Sequence, residues 1–212
     1  MSINLPEDGG GLKAFAMIVD INSFTLLVNS FSGSIAQFTR DILAGGIDTV
    51  EQHRGEVVGL MGDAFYALLP DATSVIECCI GIARDVNKQC EYFDHLRFHL
   101  NDTEYPQGIG MKIGVEHGHL DVADIKTKVM GWQRLFVGEP VIYASRISGA
   151  GKGNRCLFGP AAAQLIQDSY PLKGPYKIKG KAGEPQYTYY QFDLSDIWLE
   201  GRPVKGGMWY VD

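Results

Sequence analysis

The sequence predicts an α+β fold, an antiparallel sheet covered by helices in a single domain. Three observations predict it. Short apolar segments alternate with segments of helical periodicity. A Gly62-Asp63 pair between two apolar runs marks a tight hairpin turn. A continuous apolar run over residues 14–19 stops at one carboxylate, Asp20, and reads as a strand buried on both faces.

Taken in order, the strand ending at Asp20 is followed by Asn22, Ser23, Phe24 and Thr25, which suit the first turn of a helix. A Ser/Gly break covers residues 29–34, and Ser34 suits the cap of the next helix. That helix carries Ile35, Phe38, Ile42 and Val50 on one face and ends near His53, Arg54 and Gly55, where glycine suits the exit. Residues 57–61 and 64–69 are the hairpin strands, with Asp63 in the turn. Pro70 and Asp71 open a helix whose apolar face includes Val75, Ile76, Cys79, Ile80, Ala83 and Val86.

Residues 90–108 read as a helix end and a long loop, and 111–119 as a strand. The polar stretch 121–132 predicts a mobile loop. Residues 137–148 contain a helix opening at Pro140, 149–153 a turn, 155–158 a strand and 160–168 a helix. Residues 176–179 and 186–192 are the last strands, joined by 180–185. The expected core spans 13–192. The tail, 193–212, carries Trp198, Trp209 and Tyr210, aromatics that predict docking onto another surface.

The chain has 212 residues, 45% of them hydrophobic and 21% charged, with a net charge of −6. That is enough for a sizeable core. The acidic balance argues against broad nucleic-acid binding. No apolar run has the length of a membrane span, and the first residues lack the pattern of a signal peptide. The expectation is a cytoplasmic protein without nucleic-acid or membrane partners. Cys78, Cys79, Cys90 and Cys156 lack zinc-finger spacing and read as buried reduced thiols.

Asp20 and Asp63 are the central candidate pair. Each ends or punctuates a buried strand, and neighbouring strands can bring such ends together. Two carboxylates facing one point call for a divalent cation, and Mg²⁺ or Mn²⁺ joins such hard oxygens to phosphates. The alternative is a helix cap and an ordinary turn residue. Arg146 lies on the helix after Pro140, and Lys179 ends a strand; each could stabilise phosphoryl charge or simply face solvent. His95 with His99, and His117 with His119, lack the further ligands that metal motifs require. Gly149, Gly151 and Gly153 follow a helix, which argues against a dinucleotide-binding loop.

These motifs resemble, in order, the catalytic domain of the class III nucleotidyl cyclases, over residues 15–190. FAMIVDINSFT is similar to the first metal-binding strand and its phosphate-binding helix start. RGEVVGLMGDAFYALL is similar to the hairpin of the second metal aspartate. IGVEHGHL is similar to the Gly-Ile-x-x-Gly strand, VGEPVIYASRI to the helix of the transition-state arginine, and IKGKAGEPQYTYY to the hairpin of the phosphate-binding lysine.

The resemblance implies a ferredoxin-like antiparallel sheet flanked by helices and a twofold homodimer with shared sites. One protomer supplies the metal aspartates; its partner supplies the base-facing positions, the arginine and the lysine. It implies two divalent metal ions, Mn²⁺ or Mg²⁺, on Asp20, Asp63 and the Ile21 carbonyl. The amides of Asn22, Ser23, Phe24 and Thr25 would hold phosphates, with Arg146 and Lys179 catalytic.

The family's two purine-reading positions are Gly59 and Leu135 here, and its ribose-orienting Asn is Ile142. In these departures the chain resembles the standalone bacterial pyrimidine cyclases of Pycsar antiphage systems, whose messenger activates a separate effector. The implied reaction converts UTP to 3′,5′-cyclic UMP. Phe136 or Tyr143 would narrow the base pocket, and Arg54 would reach a base carbonyl. The alternatives are a cytidylate or purine cyclase, or a catalytically degenerate nucleotide-binding sensor of the same fold.

Overall fold

The protein's structure, a computed structural model, describes residues 3–22, 24–30, 35–92, 110–151, 155–193, 198–199 and 202–203. Its centre is β1 (Gly11–Ile21), whose residues from Ala14 to Val19 are all buried. A strand buried on both faces must be flanked in the sheet and covered above and below. Antiparallel β3 (Ala64–Leu69) lies on one side and antiparallel β4 (Met111–Thr127) on the other.

Outside β3 lies its hairpin partner β2 (Glu56–Met61). Beyond β4 come β6 (Arg155–Phe158), parallel to it, then antiparallel β8 (Gln186–Asp193) and β7 (Lys173–Lys179). β5 (Gly131–Val137) pairs with the far half of β4. β9 (Trp198–Leu199) and β10 (Arg202–Pro203) form a separate two-stranded pair.

Helices α1 (Phe24–Ser30), α2 (Ile35–Gln52), α3 (Ala72–Tyr92) and α5 (Pro160–Ile166) share a core with Phe15, Met17, Val19 and Ile21 of β1. On the opposite face Ala14, Ala16 and Ile18 pack with Tyr66, Leu68 and Ala144 of α4 (Glu139–Ser148). Ile3 and Leu5 pack against this second cluster. Glycine makes the α4 contact close. A Cβ on Gly114 would meet the Ala144 carbonyl oxygen and lie 2.7 Å from the Ser148 nitrogen, and one on Gly118 would lie 2.7 Å from Pro140 Cγ. Small residues under a helix let the backbones approach, and here they fix where α4 lies on β4.

The expected α+β architecture is present, with β6 adding one parallel neighbour to an otherwise antiparallel path. The stretch 121–132, expected as a mobile loop, is instead most of a two-stranded ribbon: Asp121 pairs with Val137 and Thr127 with Gly131. Val122 and Phe136 are buried at its base, but towards the tip Ile125, Val129, Met130 and Trp132 are exposed and no in/out alternation marks the strands.

The exit from α2 also differs from expectation. Arg54, not Gly55, takes the left-handed backbone conformation, at φ 68°. Gly55 is required for closeness instead, since its Cβ would sit 2.7 Å from Val50 Cγ1. Cys78, Cys79 and Cys156 are buried free thiols. Among the described residues no helix is long and apolar enough to cross a membrane. Ser34, the Cys90 side chain, His95, His99, the end of the 149–153 turn and most of the tail, with Trp209 and Tyr210, lie outside what is described.

Two glycine substitutions separate close packing from open space. Gly114→Ala is expected to cost about 2–3 kcal/mol, the scale of an overpacked backbone contact. Gly59→Ala, whose Cβ would meet only Tyr66 Cβ at 4.0 Å, should be tolerated. Urea unfolding of both variants checks this, and equal midpoints would refute the α4–β4 contact.

Candidate active site

Two half-sites stand on different parts of the sheet. The first lies where β1 ends. The Ile21 N–H donates to the Asp63 carbonyl at 3.1 Å, which pins the β2–β3 turn to the end of β1. Gly62 takes φ +63°, as a two-residue hairpin turn demands. The carboxylates of Asp20 and Asp63 therefore meet and interact directly. Burial, and then the neighbouring Asp20, push the Asp63 carboxyl above the usual range; its own backbone N–H and Lys112 pull the other way. Lys112, opposite Asp20 in the β1–β4 register, sets its Nζ 2.8 Å from Asp20 Oδ2.

Crowded hard oxygens of one sign fit a divalent cation. Among the described residues no group of three or more His, Cys, Asp or Glu side chains converges to hold a metal, so two carboxylates make up this acidic set. Backbone carbonyls and ligand oxygens would have to complete a coordination shell.

The second half-site joins α4 to the β7–β8 turn. Arg146 donates from Nε to Glu184 Oε2 at 2.8 Å and from Nη2 to Oε1 at 2.6 Å. This fork, followed by the Lys181 N–H, holds the Glu184 carboxyl down to about 2. Lys179 is exposed at the end of β7, opposite Gln186, and forms no ion pair among the described residues.

Strand order shows how far Lys179 stands from the aspartates. Lys179 ends β7, which lies four strand spacings from β1, across β4, β6 and β8. At about 4.8 Å per strand, the separation across the sheet is on the order of 20 Å. One chain does not bring its aspartates to its own lysine.

The remaining predicted residues divide between open and engaged positions. Phe24 is half-buried and Thr25 exposed in the first turn of α1, where helix N–H groups lack intrahelical partners. The Asn22 N–H donates to the Gly110 carbonyl at 2.8 Å, which removes it from the amides expected to hold phosphate. Ser23 lies outside the described residues.

Arg54, expected near a base, instead donates to Asp71 at 2.8 Å and to the Ser74 hydroxyl at 2.7 Å, bracing the start of α3. The Tyr143 hydroxyl both donates to the Thr188 carbonyl and accepts from the Thr188 N–H, and Phe136 is buried in the second core cluster. These three have structural work within the protomer. Gly59 faces open space, Leu135 is 40% exposed, and Ile142 is exposed on α4 one turn before Arg146.

Sequence reasoning missed Lys112, Glu184 and Tyr66. Lys112 needs the strand register to be found, and Glu184 sits in a glycine-containing turn where a carboxylate usually faces solvent. The Tyr66 hydroxyl is buried without a hydrogen-bond partner among the described residues, opposite Gly59.

Residues 14–192 match the family model described as the adenylate and guanylate cyclase catalytic domain. No curated protein matches. Among solved structures, the chain is similar to the guanylyl cyclase Cya2, at 16% identity and a TM-score of 0.73 over 87% of this chain and 93% of that one. It is similar to the adenylyl cyclase CyaB from P. aeruginosa, at 16% identity and a TM-score of 0.65 over 86% and 94%. It is also similar to the non-canonical dimeric guanylyl cyclase domain of the RhoGC fusion protein from the aquatic fungus Blastocladiella emersonii, at 14% identity and a TM-score of 0.63 over 86% and 97%. These likenesses establish the fold.

Mn²⁺ at about a hundred times its dissociation constant should stabilise the nucleotide-free protein by about 2.7 kcal/mol. Joint Asp20→Asn and Asp63→Asn substitution should abolish the accompanying rise in melting temperature. An equal rise in both proteins would place the ion elsewhere.

Proposed function

The chain belongs to the family of adenylate and guanylate cyclase catalytic domains, and on that premise we propose that it is a working cytoplasmic cyclase converting UTP to 3′,5′-cyclic UMP and pyrophosphate. The observation that carries the pyrimidine reading is Gly59. It needs no special backbone conformation and leaves room for a side chain, yet presents none, and Leu135 at the companion position is apolar. A site that selects a base does so with polar groups that the wrong base leaves unpaired, and both purine-reading positions lack them. The choice of UTP over CTP, and a cyclic messenger acting on a separate effector in antiphage defence, rest on the resemblance to the standalone pyrimidine cyclases.

Class III cyclases use divalent metals, and Asp20 and Asp63, with the Ile21 carbonyl, would hold them. Bound Mg²⁺ or Mn²⁺ supplies the Lewis acidity that makes the ribose 3′-hydroxyl acidic and offsets triphosphate charge. The bond formed joins the 3′-oxygen to the α-phosphorus, and the bond broken releases pyrophosphate. Ser23, Phe24 and Thr25 would offer amides to the terminal phosphates. Lys112, paired with Asp20, would pass to a phosphate oxygen. Arg146 would stabilise charge gathering on the α-phosphate, and Lys179 would neutralise the polyphosphate. Because Lys179 stands four strands, on the order of 20 Å, from β1 in one chain, a second copy would bring its Arg146 and Lys179 to these aspartates.

Ile142 favours a second reading, a nucleotide-binding relative without turnover, because it replaces the ribose-orienting polar side chain with an exposed aliphatic one. Incubation with Mn²⁺ and all four triphosphates at equal concentration separates the readings. Cyclic UMP should dominate; dominant cyclic AMP or cyclic GMP would overturn the pyrimidine assignment, and no product would favour the second reading.

Arg146→Ala should lower kcat by about 10²- to 10³-fold, the scale of one lost transition-state donor. Mixing inactive Asp20→Ala and Arg146→Ala homodimers should restore turnover, since a heterodimer holds one site with both lesions and one with neither. A verified but silent heterodimer would put both residues in one protomer's site.

A further inference from the structure

Arg146 is held by one edge. Glu184 takes Nε and Nη2 with both carboxylate oxygens, at 2.6–3.1 Å, and the Tyr187 hydroxyl also interacts with the guanidinium, while Nη1 makes no hydrogen bond among the described residues. A guanidinium offers two forked edges, and each matches a planar or phosphate oxyanion. The edge formed by Nη1 and the second Nη2 hydrogen therefore stays available while the other is clamped.

The clamp is itself braced. The Lys181 N–H donates to Glu184 Oε2 at 3.1 Å, and the Glu184 N–H donates to the Lys181 carbonyl at 2.9 Å. The Tyr187 hydroxyl stands 3.5 Å from Oε2, and its ring meets Tyr143 edge-on at 5.0 Å between centroids. Tyr143, one turn before Arg146 on α4, is tied to the Thr188 backbone of β8. Two ties three residues apart thus bind α4 to the hairpin that ends β7 at Lys179.

We propose that Glu184 is a positioning residue: it orients the Arg146 guanidinium with one forked edge presented to the α-phosphate, and couples that orientation to the hairpin carrying Lys179. The inference deepens the cyclase reading and rests on it. Its rival is a masking carboxylate that competes with the phosphate for Arg146. The clamped edge decides against masking, because the outer edge needs no release before a phosphate binds. With its pKa held at about 2, Glu184 stays ionised throughout the neutral range, so the clamp does not loosen with modest acidification.

The test combines kinetics with a readout that needs no turnover. Glu184→Ala should lower kcat by up to about 10²-fold, the cost of a misplaced catalytic group, with KM for the wild type's preferred triphosphate little changed. Glu184→Gln, which keeps one acceptor oxygen, should fall between. Added to Arg146→Ala, Glu184→Ala should cost nothing further. Nitrogen-15 relaxation of the Arg146 Nε–H should show a rigid guanidinium in the wild type and a mobile one in Glu184→Ala.

Unchanged or raised kcat in Glu184→Ala, or a full additional loss in the double variant, would overturn the positioning role. An equally mobile guanidinium in both proteins would do so as well. Wild type that cyclises none of the four triphosphates would defeat the cyclase reading instead, and the relaxation measurement would still decide whether Glu184 orients Arg146.

Discussion

Two carboxylates held against each other at the end of one strand set the terms for the rest of the molecule. Asp20 and Asp63 meet because the Ile21 N–H ties the hairpin turn to β1, and because β1 is paired on both sides. At neutral pH the burial of the Asp63 carboxylate, and then its repulsion with Asp20, work against folding. The sign follows from Asp63, whose folded pKa is raised chiefly by burial and then by Asp20. The folded chain binds that proton more tightly than the unfolded one, so the penalty is full above the raised value and lifts as pH falls through it. Lys112 offsets part of this charge, and the buried sheet supplies the rigidity that keeps the pair in place.

Much of this was legible in the residues. The apolar run before Asp20, the Gly62-Asp63 turn, Pro140 and the two last strands each carry local signals, because burial on both faces and tight turns constrain residue type directly. The β4–β5 ribbon was not legible. Beyond Val122 and Phe136 its strands lack the alternation that a covering layer imposes, and exposed polar and apolar residues mix along both.

The site divides in the same way. The aspartates and Arg146 stand in recognisable motifs, but pairings across the sheet depend on register, which residue patterns leave open. Lys112 opposite Asp20, Glu184 beside Arg146 and Arg54 bridging Asp71 and Ser74 all belong to that class. A charged residue in a turn or at a strand end carries no mark of its partner; only the fold supplies it.

The distance between carboxylates and cations bears on how such a protein responds to its own abundance. A chain with both halves in one place would work at any dilution. If, as proposed, each copy supplies what the other lacks, then well below the dimer dissociation constant the total rate would climb as the square of chain concentration. Doubling expression would then quadruple output, and sequestering a fraction of the chains would silence more than that fraction. Under that proposal, a spacing built into strand order would become a threshold in dose.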